Sequence, residues 1–134
     1  MSFQSLLLMQ QTIKELIESD LQLSEVISGV YFSGQANPKY PFIIFNITSV
    51  RNDVINNLRL YNINFEIVIC IKSKPVNFFY NTIDRVQSVM TLDKVQIFKS
   101  LHNQSINFIS SPDFLHHKII MNYVATIEEE LRNE

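Results

Sequence analysis

Two glycines and a single cysteine in 134 residues are unusually few, and each shortage closes off a chemistry. Gly29 and Gly34 alone cannot build a glycine-rich phosphate loop. Cys70 has no second thiol to meet, which excludes an intramolecular disulfide and a cysteine-rich metal site. No stretch approaches the roughly 18 apolar residues that a membrane-spanning helix needs. The short run Leu6-Leu7-Leu8-Met9 has no basic residue before it and Gln10-Gln11 after it, so neither export nor a membrane partner is expected. Alanine is scarce too, with only Ala36 and Ala125. A net charge of −2 leaves little for a basic face that grips nucleic-acid phosphates. A hydrophobic content of 46% with 18% charged residues is that of a globular chain, and residues 1–134 fit one domain with a core of its own.

The strongest signal is the alternation from Tyr61 to Ile71. Tyr61, Ile63, Phe65, Ile67, Ile69 and Ile71 share one side, while Asn62, Asn64 and Glu66 lead the other, followed by Val68 and Cys70. Period-two alternation of this kind is a strand with one apolar face, typical of an antiparallel sheet packed on a core from one side. Burying the six side chains stabilises by roughly 9–18 kcal/mol at about 1.5–3 each, an upper bound for a compact unfolded state.

Around that spine, Leu6, Met9, Ile13 and Leu16 recur at three- and four-residue spacing and predict a helix over Gln4–Glu18. Ser24 is the expected cap of a short second helical turn, and Gly29 its stop. Val30-Tyr31-Phe32 reads as a short strand and Ser33–Tyr40 as a loop, with Gly34, Asn37 and Pro38 as turn formers. Pro41 opens a strand to Thr48; Arg51–Asn57 reads as a connection in which Asn56-Asn57 can take left-handed hairpin geometry. Ser73–Pro75 marks the start of a second long helix, with Val76, Phe79, Ile83, Val86 and Met90 on its apolar side. Val95–Phe98 and Ile106–Ile109 read as strands on either side of a bend at Leu101–Gln104. A turn at Ser110–Leu115 and a last strand over Lys118–Ile127 follow, and Glu128–Glu134 is expected to be an exposed acidic tail. The order helix, strand, strand, strand, helix, strand, strand predicts an α+β domain: an antiparallel or mixed sheet with two main helices on one face.

The residues that could carry chemistry do not assemble into a site. His116 and His117 are neighbours at a strand entrance, where they face opposite ways, and no carboxylate stands two residues from either to complete a metal set. His102 reads as a turn histidine, Cys70 as a buried thiol with no histidine partner, and Glu66 as a carboxylate without a second. Asp84-Arg85 reads as part of a solvated helix face. Lys72, Lys74 and Arg85 lie near the second helix without the interleaved aromatics of a nucleic-acid platform. Tyr40 and Phe42 flank Pro41 and read as anchors at a strand entry rather than a ligand platform. The reading is of a protein that is not an enzyme and takes no cofactor or metal, with assembly or binding as its role.

The whole chain, taken in order, resembles the tail-completion (tail-terminator) proteins of long-tailed phages and of phage-derived gene-transfer agents. The likeness is carried by Gly29-Val30-Tyr31 and Pro38-Lys39-Tyr40-Pro41-Phe42-Ile43-Ile44-Phe45. It continues in the long strand Tyr61–Ile71, the helix Val76–Met90, the strand pair within Val95–Ile109, the turn Ser111-Pro112-Asp113 and the closing strand Lys118–Glu128. One departure is the loop before the long strand, where members often have glycines and this chain has Asn52 to Asn57. The resemblance implies a structural virion protein at the tail–head junction, made in the bacterial cytoplasm, that caps the finished tail tube as a homo-hexameric ring. It would meet the tail-tube protein on one side and a head-completion or neck protein on the other, while DNA passes through without specific binding. Candidate ring surfaces are a sheet edge, the loops Ser33–Tyr40 and Arg51–Asn57, and the polar strand faces, with Asn62, Asn64, Glu66, Tyr40 and Arg51 as interface residues. Two alternatives stand beside it: another head–tail joining protein, or a small metal- or ligand-binding α+β module using His116, His117 and Cys70.

Overall fold

Leu6, Met9, Ile13 and Ile17 line the buried side of a first helix, α1 (Gln4–Ser19), with Leu16 half-buried beside them. The structure is a computed structural model and describes residues 4–32 and 38–130. After α1 come α2 (Leu21–Val26), β1 (Val30–Phe32), β2 (Phe42–Ile55), β3 (Leu58–Lys72), α3 (Val76–Val89), β4 (Ser100–Ser110) and β5 (His116–Glu130). The five strands form one mixed sheet in the order β1-β2-β3-β5-β4, in which β1 runs parallel to β2 and every other neighbour is antiparallel. This is the expected α+β architecture. One core joins the apolar sides of α1, α2 and α3 to a single face of the sheet, so among the described residues the other face has no helix layer.

Tyr61, Ile63, Phe65, Ile67, Ile69 and Ile71 on β3 are the middle of that core, as their alternation predicts. Ile119, Met121, Tyr123, Ala125 and Ile127 of β5 stand directly opposite five of them. Phe65 is the centre of an aromatic cluster, with ring centroids 5.2 Å from Phe45, 5.3 Å from Tyr123 and 6.0 Å from Phe98. The Tyr123 hydroxyl is buried with no hydrogen-bond partner among the described residues, and burial pushes its pKa up. An unmade buried bond costs about 1–3 kcal/mol, so Tyr123→Phe is expected to stabilise the fold by about 1 kcal/mol. A rise in the urea midpoint at constant m-value reads this directly, and a fall would show that the hydroxyl has a partner in solution.

Several connections and caps differ from the sequence reading. Arg51–Asn57 is no loop: β2 continues through Ile55, and Asn56, at φ 48°, makes the tight turn into β3. A bulge at Thr48 slips the alternation by one residue, so Ser49, Arg51 and Asp53 pair on the same face as Asn46, and the period-two signal is lost. The same happens in β4. Val95–Phe98 is not a strand but a run of turns pinned by the buried Val95 and Phe98. Leu101–Gln104 is not a bend but part of β4, with a bulge at Gln104, which puts His102 on a strand.

Asp20, not Ser24, caps α2, its carboxylate accepting the Leu23 N–H at 3.0 Å; the Ser24 hydroxyl donates to the Leu21 carbonyl instead. α2 has ended by Ile27, so Gly29 does not stop it. Gly29 lies in a close approach, where a Cβ would come within 3.1 Å of the Glu18 carboxylate and 3.3 Å of the Tyr31 hydroxyl. Pro75 takes the N-cap position of α3 rather than a place in its first turn, and Val76 is exposed. Asp84 is exposed as expected, but Arg85, part-exposed beside it, is also paired: it forks onto both Asp20 carboxylate oxygens and ties α3 to the start of α2. Glu128–Glu130 belongs to β5, opposite Leu60–Leu58, rather than to a tail. The predicted turn formers Gly34 and Asn37, and residues 131–134, lie outside the described residues.

Candidate assembly face

The helix-free face is built of side-chain rows that cross the sheet at right angles to its strands. One row reads Asn46, Glu66, Asn122, Ser105 across β2, β3, β5 and β4. Towards the β2–β3 turn the next rows are Ser49, Asn64, Val124, His102 and then Arg51, Asn62, Thr126, Ser100. In the other direction they turn apolar, as Ile44, Val68, Ile120, Asn107 and then Phe42, Cys70, Lys118, Ile109. The face is therefore amide- and hydroxyl-lined in the middle and apolar at the β1 end.

Cross-strand hydrogen bonds order the polar rows. Asn46 Nδ2 donates to Glu66 Oε1 at 3.2 Å, Asn64 Nδ2 to the Ser49 hydroxyl at 2.7 Å, and Asn122 Nδ2 to the Ser105 hydroxyl at 3.0 Å. Asp53 accepts from both Asn62 Nδ2, at 3.3 Å, and Arg51 Nε, at 3.2 Å. Pairs of this kind fix rotamers on an open sheet and contribute a few tenths to 1 kcal/mol each, so the surface they present is a shaped one. The two bulges, at Thr48 and Gln104, stand at the same level on either side of the central strands. Between them is a shallow depression of about 330 Å³, bordered by Thr48, Ser49, Asn64, Gln104, Ser105 and Asn122.

At the apolar end, Phe42, Val68 and Cys70 form a small buried cluster with Tyr31, Ile44 and Ile120 half-buried around it. Tyr40 closes this end, its ring 5.0 Å from Phe42 and 5.5 Å from His116. Burial pushes the Cys70 thiol pKa up, which keeps it protonated and unreactive.

The five interface residues named from the sequence thus fall on or beside one face: Arg51, Asn62, Asn64 and Glu66 in adjacent rows, Tyr40 at the far end. Asn46, Ser49, Asn122 and Ser105, not named from the sequence, share these rows. Asn122 was legible from the alternation of the last strand, whereas Ser49 and Ser105 sit beside the bulges that hid their phase. His116 faces Tyr40 on the helix-free side; His117 points to the helix side, 5.0 Å from the Phe79 ring, with Nδ1 2.8 Å from the Ser110 hydroxyl. The two do not converge with Cys70 on one point, and among the described residues no three His, Cys, Asp or Glu side chains are grouped to hold a metal ion. No helix among the described residues is long and apolar enough to cross a membrane. The chain matches no protein-family model and no curated protein.

Proposed function

We propose that this chain is a structural assembly protein that caps a phage-type tail tube as a ring and offers the attachment face for a head-completion or neck protein. The observation that carries the reading is the helix-free face: its polar rows span four strands, are shaped by paired amides and hydroxyls, and have no helix layer over them among the described residues. A sheet face of this kind is either wetted or met by a partner, and an ordered amide surface suits a partner whose contacts are hydrogen bonds. The ordered resemblance of the whole chain to tail-completion proteins points the same way. A ring is closed by heterologous contacts, one patch of each copy on a different patch of the next. The polar rows through Asn62, Asn64 and Glu66 supply one such patch or line the lumen, with DNA passing unbound.

The test is native mass spectrometry and electron microscopy of the full chain, alone and mixed with purified tail tubes. Six-fold rings, free or seated on tube ends, are expected. Asn64→Lys, which puts a charge into the depression, is expected to abolish capping while leaving the circular dichroism spectrum unchanged. A strictly monomeric protein that ignores tube ends would overturn the reading. Particles assembled without the protein separate it from a joining role: over-long or unfinished tails mark a terminator, and normal headless tails a neck protein.

A further inference from the structure

The two margins of the sheet are finished differently. At β1, the Val30 N–H donates to Glu18 Oε2 at 2.9 Å and the Val30 carbonyl accepts from Lys14 Nζ at 2.7 Å. A helix side-chain pair, itself 2.9 Å apart, thus takes the place of a further strand there. Beyond β1, the stretch of β2 that continues to Ile55 carries a bulge at Thr48 and the charges of Arg51 and Asp53, the usual means of keeping an edge from pairing. β4 has no such protection against pairing beyond its bulge at Gln104. Ser100–Ser110 contains no Asp, Glu, Lys, Arg or Pro, and its outer margin meets no strand among the described residues.

Exposed apolar side chains gather along the same margin. Phe108 is 56% and Ile109 52% exposed, and Tyr80 of α3, 55% exposed, stands edge-on to Phe108 at 6.5 Å. Two turns further along α3, Gln87 reaches Asn103 at 3.5 Å, so the helix runs beside β4 for much of its length.

We propose that β4 is the contact through which two copies of this chain pair, strand against strand and antiparallel, about a two-fold axis normal to the sheet. Charge selects a second copy as the occupant. The strand is neutral and does not repel itself, while Lys99 stands just before it and Asp113 just after it. Antiparallel pairing along most of β4 sets Lys99 of one copy beside the Ser111–Asp113 turn of the other, and the symmetry makes this contact twice. Lys99 is free to reach, its side chain 64% exposed and 3.6 Å from Glu128 in its own chain. The Asp113 carboxylate accepts from the Ser111 hydroxyl and the Leu115 N–H, which hold it below the usual carboxylate range and charged at neutral pH. The product is a continuous sheet of ten strands with both helix-free faces on one side.

Sedimentation of the full chain over a range of concentrations tests this, with hydrogen exchange on the same samples. A species of twice the 15.7 kDa chain mass is expected, with β4 amides that exchange more slowly as concentration rises. Gln104→Lys, which brings two like charges near the axis, is expected to abolish the dimer with the spectrum of the fold unchanged, and Lys99→Glu to weaken it at least about tenfold. A protein monomeric throughout, a dimer indifferent to both substitutions, or β4 exchange independent of concentration would each overturn the proposal. Ring capping is read separately: a protein that pairs through β4 and ignores tail tubes keeps this inference and loses the function, and an unpaired protein that still caps tubes does the reverse.

Discussion

Phe65→Ala is expected to cost about 3–5 kcal/mol, the range for truncating a buried aromatic, and so to remove a large part of a typical total of about 5–15 kcal/mol. The side chain is 1% exposed and lies between the rings of Phe45, Tyr123 and Phe98, contributed by β2, β5 and the turn segment before β4. Aromatic pairs add about 0.5–1.5 kcal/mol each beyond their area, so the loss falls at the upper end of the range. With an m-value near 2 kcal/mol/M, the urea midpoint should fall by about 2 M. Asn64→Ala, one residue away on the opposite face, is the control and should cost less than about 1 kcal/mol. An alanine variant at Phe65 whose unfolding curve superimposes on the parent would contradict the assignment of the core face.

The second large effect is expected at the Asp20–Arg85 pair. The guanidinium of Arg85, followed by the Leu23 N–H, holds the Asp20 carboxyl below its ordinary pKa despite the opposing effect of burial. A carboxyl whose folded-state pKa is depressed stabilises the fold fully above its unfolded value of about 3.9. That contribution falls away as pH drops through about 4 towards the lower folded-state value. Asp20→Ala removes the α2 cap, about 1 kcal/mol by itself, and also leaves Arg85 without its carboxylate. A drop in Tm of about 5 °C at neutral pH is expected. Asp20→Asn keeps a cap but not the charge, and its Tm should decline less steeply than the parent's below about pH 4. Part of the acid sensitivity will remain, because Asp113 is also lowered, and Glu18 is too: burial pushes its pKa up, but Lys14 and the Val30 N–H outweigh it. Parallel Tm–pH curves for the parent and Asp20→Asn would show that the pair does not titrate with folding.

What the sequence conveyed and what it hid divide along a physical line. The Tyr61–Ile71 alternation, the periodic α1 and α3 and the Asn56 turn were legible because each is a local regularity fixed by side-chain direction or backbone preference. The shortened readings of β2 and β4 share one cause. Thr48 and Gln104 each insert a residue into a ladder, and a single insertion inverts every later side chain, so one strand reads as a shorter strand and a loop or bend. Ser49 and Ser105 of the helix-free face stand next to those insertions and were hidden with them. The Arg85–Asp20 pair was hidden for a different reason: it spans 65 residues, and no local pattern records it, whereas the Asp20 cap is local and was passed over for Ser24. Of the helix-free face, the β3 residues were readable, and their partners on β2 and β4 became so only once register was known.

The Lys14–Glu18 clasp on Val30 has a consequence for stoichiometry. A building block with two sticky ends grows into a filament, whereas one with a single sticky end joins once and stops. With the β1 end of the sheet sealed by its own helix, the β4 pairing proposed above would make the chain monofunctional along the sheet, in the sense of polymer chemistry. On that proposal, concentration would set how many pairs form, never how long a sheet becomes.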